Sequence, residues 1–184
     1  MIASAKYLLI EGYLWDAPEP QAAIKRAMAA AKRGGCKVFF ALSALYLMGI
    51  YRDDFLGLID DGTIDVLFCN DEEVTALMQT DDLEAALTEL SAKVPLLVVT
   101  RGANGALAIQ SGERAEVSAQ PVATVVDTTG AGDTFTSGFL AGQLQGRGIA
   151  DSLTMGAVCA AECIGHYGPR PEGDLKALVA AGLG

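Results

Sequence analysis

The residues whose types and spacing best suit chemistry are Gly130, Ala131, Gly132 and Asp133, inside the stretch Val125-Val126-Asp127-Thr128-Thr129-Gly130-Ala131-Gly132-Asp133-Thr134-Phe135. The apolar pair reads as a short strand running into a glycine-rich turn that opens a helix. First-turn amides of a helix, here those of Ala131, Gly132 and Asp133, lack intrahelical partners and carry its positive end. Glycine lets a phosphate approach them closely. A carboxylate beside a bound phosphate is unfavourable unless it has work to do, and accepting the proton of an attacking hydroxyl is such work. Asp133 is therefore the candidate general base; the competing reading is a plain strand-to-helix turn with Asp133 as a capping acid. Two other phosphate loops do not fit, since no Lys follows the glycines and Phe135 stands where a dinucleotide fingerprint needs its third Gly. Along the helix, Phe135, Phe139 and Leu140 form an apolar face, while Gly138 and Gly142 allow a neighbour to approach.

Elements that would position this turn alternate between apolar bursts and helical patterns, the mark of βαβ units around a mostly parallel sheet. Strands are expected at Tyr7 to Ile10, Val38 to Leu42, Val66 to Cys69 and Leu96 to Thr100. Helices are expected from Pro18 to about Arg33, over Arg52 to Ile59, Asp71 to Met78 and Asp82 to Ala92. Ala106 to Ile109 and Ala115 to Ser118, joined by Ser111-Gly112, read as a hairpin. Three further helices follow, Ala131 to Leu144, Ile149 to His166 and Pro171 to Ala181.

The chain has 184 residues, 51% hydrophobic and 20% charged, which suits one globular domain with a core. Thirteen basic against 23 acidic residues give a net charge of −10, a field that repels nucleic-acid backbones and anionic lipid surfaces. The longest uncharged apolar stretch, Val38 to Tyr51, is too short to span a membrane and reads as strand plus loop. Met1 to Asp16 does not read as a signal peptide, so a cytoplasmic location is expected. Cys36, Cys69, Cys159 and Cys163 show no disulfide spacing and read as buried thiols. Cys159, Cys163 and His166 would share a helix face, without a fourth ligand for a metal.

The stretch from Asp127 to Phe135 resembles the second signature of the ribokinase-like (PfkB-type) family of sugar and nucleoside kinases. Asn70-Asp71-Glu72-Glu73 resembles the family's N-x-x-E, Thr100 to Gly105 its nucleotide-side turn, and Gly168-Pro169-Arg170-Pro171 its C-terminal loop. With Glu11-Gly12-Tyr13-Leu14-Trp15-Asp16, that ending is most similar to bacterial adenosine kinases and sugar kinases. The resemblance implies a three-layer α/β/α fold with a mostly parallel sheet. It implies transfer of the ATP γ-phosphate to a primary alcohol of adenosine or a sugar, with Mg²⁺ as cofactor.

Residue by residue, the resemblance makes Asp133 the base and the amides from Gly130 to Asp133 an anion hole. Asn70 and Glu73 would organise Mg²⁺ and its waters, against the alternative of a helix N-terminus rich in acids. Thr100, Gly102 and Gly105 would approach ATP, or simply serve hairpin geometry. Gly156 and Ala157 would pack the adenine, or pack helices. Asp127, the Thr129 backbone, Cys163 and Gly168 align with a loop that binds a monovalent cation, usually K⁺; Asp127 could equally be an Asx-turn acceptor. His166 reads as a helix-end residue without a role.

The family's first glycine-rich signature, its acceptor-binding Asp and its β lid find no counterpart here. The whole chain, 1–184, is therefore expected to be the C-terminal, nucleotide-side portion of a kinase, with N-terminal strands and lid absent. Such a sheet would expose an edge and an apolar surface near Tyr7 to Leu14. Self-association, or pairing with a separate N-terminal piece, is the expected response. A non-catalytic ATP-binding or assembly module is the alternative to an active kinase.

Overall fold

The second strand of the chain, β2 (Lys37–Ala41), buries Val38, Phe39, Phe40 and Ala41 in succession, which is how a strand covered on both faces reads. In the computed structural model, which describes residues 1–184, it lies between β1 (Tyr7–Glu11) and β3 (Val66–Asn70). Both pairings are parallel, with Tyr7 opposite Lys37 and Phe39 opposite Val66. The sheet continues in chain order through β4 (Leu96–Thr100), β5 (Ala106–Gln110) and β6 (Glu113–Val117). The β5–β6 turn is Ser111-Gly112, both at positive φ (53° and 82°), the geometry a two-residue hairpin favours. Seven helices complete an α/β fold with a mostly parallel sheet, as expected: α1 (Pro18–Arg33), α2 (Leu45–Asp60), α3 (Asp71–Met78), α4 (Leu83–Ser91), α5 (Ala131–Leu144), α6 (Ile149–Cys163) and α7 (Leu175–Gly182). None is long and apolar enough to cross a membrane.

The chain divides into two compact units, Met1–Val99 with Ile109–Glu113, and Thr100–Ala108 with Arg114–Gly184. The first unit is centred on Trp15, Phe40 and Phe55, all fully buried, with ring centroids 5.4 to 6.2 Å apart in edge-on arrangements. Trp15 Nε1 donates to Asp54 Oδ2 at 3.0 Å, and Lys25 lies over the indole. The terminal strand β1 and the turn after it leave Leu9, Tyr13 and Leu14 exposed, where the sequence anticipated uncovered apolar surface. In the second unit α5 and α6 pack closely. A Cβ at Gly138 would stand 2.6 Å from the Met155 carbonyl oxygen, and one at Gly142 2.6 Å from the Ser152 hydroxyl.

Several boundaries differ from the sequence reading. Helix α2 starts at Leu45, seven residues before Arg52, and continues through a non-helical Tyr51 (φ −119°). The unbroken apolar run there hides the helical period, and only the burial of Leu47, Met48, Phe55 and Ile59 reveals it. Helix α7 starts at Leu175 instead of Pro171, because Asp174 caps it by accepting the Lys176 and Ala177 amides. Helix α6 ends at Cys163 and not at His166, and Asp82 is the cap of α4, outside the helix. Strand β6 covers Glu113–Val117, starting two residues and ending one residue earlier than expected. Val125 and Val126 form no strand; both are exposed, and the Val126 amide donates to the Ile164 carbonyl at 2.8 Å.

The close α5–α6 approach is testable by stability. Gly138→Val is expected to lower unfolding free energy by about 2 kcal/mol through overpacking. Gly57→Ala, in α2 with open space around the new methyl, is expected to raise it by about 0.5–1 kcal/mol. Urea midpoints of the two variants check both signs.

Candidate functional site

Gly130 is the N-cap of α5 and sits at φ +77°, so the chain turns sharply just before the helix. A Cβ there would also stand 2.5 Å from the Pro169 Cβ. Ala131, Gly132 and Asp133 are therefore the first three helical residues. The Ala131 amide donates to the Thr128 carbonyl at 3.2 Å, so it is not among the free donors that the sequence suggested. The amides of Gly132 and Asp133 have no acceptor, and both residues are exposed. The Asp133 side chain makes no hydrogen bond or ion pair and does not cap the helix. The turn thus presents two free amides and one free carboxylate.

The residues just before it are closed on themselves. Asp127 Oδ1 accepts the Thr129 amide at 2.9 Å, and Oδ2 accepts the Gly168 amide at 3.0 Å. The Thr129 hydroxyl, these two amides and the charge of His166 hold the Asp127 carboxyl below its ordinary range. The Cys163 thiol donates to the Thr129 carbonyl at 3.5 Å. Asp127, Thr129, Cys163 and Gly168 are thereby brought into one loop cluster, with Asp127 in an Asx turn.

Beside the turn lies a cavity of about 260 Å³ within the second unit. Thr100, Gly102 and Gly105 line it from the end of β4 and the following turn, and Ala131 and Gly132 from the start of α5. From α6 come Ala157, Ala160 and Ala161, with Ile164 just beyond. Six residues singled out in the sequence thus share one cavity. Gly156 does not line it: a Cβ there would meet the Phe135 ring and carbonyl at 2.9 Å, so it serves the α5–α6 contact. Ala160, Ala161 and Ile164 were not singled out, although their spacing from Ala157 (three, four and seven residues) marks one helix face. The Thr100–Gly105 turn is braced by Arg101, whose guanidinium donates to Glu116 at 2.8 Å and to the Asn104 carbonyl at 3.2 Å.

Asn70 and Glu73 belong to the first unit and form a reciprocal capping box at α3. Asn70 Oδ1 accepts the Glu73 amide at 2.8 Å, and Glu73 Oε2 accepts the Asn70 amide at 2.9 Å. Burial pushes the Glu73 carboxyl up, the Asn70 amide pulls it down, and Glu11 and Glu72 add to the rise.

A family model described as pfkB family carbohydrate kinase matches residues 1–174. An uncharacterized sugar kinase of Archaeoglobus fulgidus is 41% identical over 102 residues, 55% of this chain and 40% of that protein. The crystal structure of a probable sugar kinase protein from Rhizobium etli superposes with a TM-score of 0.95 at 41% identity, over 99% of this chain and 56% of that one. That of an adenosine kinase from Sinorhizobium meliloti gives 0.95 at 37% identity, over 98% and 55%. The chain therefore spans about half the length of these solved relatives.

Glu73 also gives a pH test with a defined sign. Its folded-state carboxyl holds the proton more tightly than the unfolded one, so ionisation costs stability as pH rises from the ordinary value of 4.5 through the higher folded value. Glu73→Gln keeps an acceptor for the Asn70 amide and never ionises. Wild-type stability, measured against this variant by urea unfolding, is expected to fall from pH 4.5 toward neutrality; parallel curves would contradict the assignment.

Proposed function

Because the chain belongs to the pfkB family of carbohydrate kinases, we propose that it carries the nucleotide side and catalytic base of an ATP-dependent phosphotransferase. The acceptor class is a primary alcohol of adenosine or a sugar. The observation that carries this reading is the continuity of the cavity lining with the helix terminus: Ala131 and Gly132 belong to both. The alanine-rich wall of α6 suits a flat ring, and the free amides of Gly132 and Asp133 suit a phosphoryl group.

In the proposed reaction the acceptor hydroxyl gives its proton to the Asp133 carboxylate as its oxygen bonds to the γ-phosphorus. The bond from that phosphorus to the bridging oxygen breaks, and ADP leaves. The Gly132 and Asp133 amides stabilise the charge on the transferring group, with the turn at Gly130 aiming them. Thr100, Gly102 and Gly105, which line the same cavity as Ala157, would bound the nucleotide.

Asn70 and Glu73 supply oxygen donors of the kind a hard cation such as Mg²⁺ takes through its waters. A K⁺ ion at Asp127, Thr129, Cys163 and Gly168 would share Asp127 with three donors already in place. A second reading is an ATP-binding or assembly module without an acceptor site, which the cavity and the two free amides would serve equally.

Isothermal titration with Mg-ATP followed by a transfer assay on adenosine and ribose separates the two readings. Binding with transfer supports the kinase, binding alone supports the module, and no binding removes the nucleotide site. Where transfer is seen, Asp133→Asn is expected to slow it at least about 10²-fold with Mg-ATP affinity nearly unchanged. Ala160→Leu, which fills the cavity, is expected to weaken Mg-ATP binding about tenfold, a change of ~1.4 kcal/mol.

A further inference from the structure

Glu162 is the last residue but one of α6, where a carboxylate opposes the negative end of the helix, and its side chain is only 10% exposed. A group this costly to bury needs strong partners. It has them in a segment about ten residues on: Glu162 Oε1 accepts the Glu172 amide at 2.8 Å and the Gly173 amide at 2.6 Å. His166 Nε2 lies 3.4 Å from the same oxygen, and its side chain is 15% exposed. On the ring's other nitrogen, Nδ1 lies 3.4 Å from the Tyr167 carbonyl and 4.0 Å from Glu172 Oε1.

The segment folded back in this way carries Gly168, whose amide holds Asp127, and Pro169, which lies against Gly130. At its near end the Ile164 carbonyl accepts the Val126 amide. Residues 164–173 therefore form the wall against which the turn before α5 is set.

We propose that Glu162 and His166 are positioning residues for the phosphate-facing turn, pinning residues 164–173 to α6 so that Gly168 and Pro169 fix Asp127 and Gly130. The consequence for nucleotide affinity rests on the proposed nucleotide site; the coupling to the turn does not. Charged groups facing His166 are Glu162 on α6, Glu172 beyond it and Asp127 before α5, all acidic. Burial disfavours the imidazolium, but the Tyr167 carbonyl, Glu162 and Glu172 outweigh that and raise its pKa above 6.5.

The test compares amide spectra of the ¹⁵N-labelled, ligand-free chain at one fixed pH for wild type, Glu162→Gln and Glu162→Ala. Glu162→Gln keeps an acceptor for the Glu172 and Gly173 amides, and Glu162→Ala removes it. The Gly130, Gly132 and Asp133 amide signals are expected to stay near their wild-type positions in Glu162→Gln and to shift in Glu162→Ala, with the signals of the first unit unchanged in both. Turn signals that stay in place in Glu162→Ala, or that shift equally in Glu162→Gln, overturn the proposal. Mg-ATP is then titrated into the same samples. Its affinity for Glu162→Ala is expected to be lower than for Glu162→Gln by about threefold. Coupled turn signals without nucleotide binding would leave the positioning role standing and remove the nucleotide reading.

Discussion

The near contact of α5 with α6 is the constraint on which the second unit depends. Three glycines set it: Gly138 and Gly142 on one helix, Gly156 on the other, each where a methyl would meet backbone or side-chain atoms within 3 Å. At that separation the Ala157 face of α6 reaches the same cavity as the first residues of α5. A wider crossing would separate the apolar cavity from the amides of Gly132 and Asp133. Packing density, in this unit, is what places two free amides beside that cavity.

Electrostatics around the turn is local. The chain carries a net charge of −10, yet the helix terminus offers two unpaired amides. Nearby acids that would oppose an anion are committed elsewhere: Asp127 to Thr129 and Gly168, Glu162 to the Glu172 and Gly173 amides and to His166. Asp133, unlike these two, keeps its carboxylate free. Hydrogen bonding thus separates acids that hold the loop from the acid that can accept a proton.

Much of this was legible in the residues. The glycine turn, the hairpin at Ser111-Gly112 and the strand alternation depend on local backbone chemistry, which residue type expresses directly. What escaped lies in geometry that residue type does not express. The Ala131 amide is lost to Thr128 because of how Gly130 turns, and Gly156 packs on Phe135 because of where α5 lies. The early start of α2 was hidden by an apolar run without a period, and Pro171 to Gly173 stay outside α7 because Asp174 caps it and Glu162 claims the Glu172 and Gly173 amides. The spacing of Ala157, Ala160, Ala161 and Ile164 was readable, but small residues on one helix face also describe helix packing, and only the cavity separates the two.

The placement of Trp15 bears on spectroscopy. It is the chain's one tryptophan, fully buried beside Phe40 and Phe55 in the first unit, whereas the second unit has a single tyrosine, Tyr167, largely exposed. Indole emission therefore monitors one half of the molecule and is nearly blind to the other, while far-ultraviolet circular dichroism sees the helices of both. Coincidence of the two signals during denaturation would measure cooperativity between the units directly.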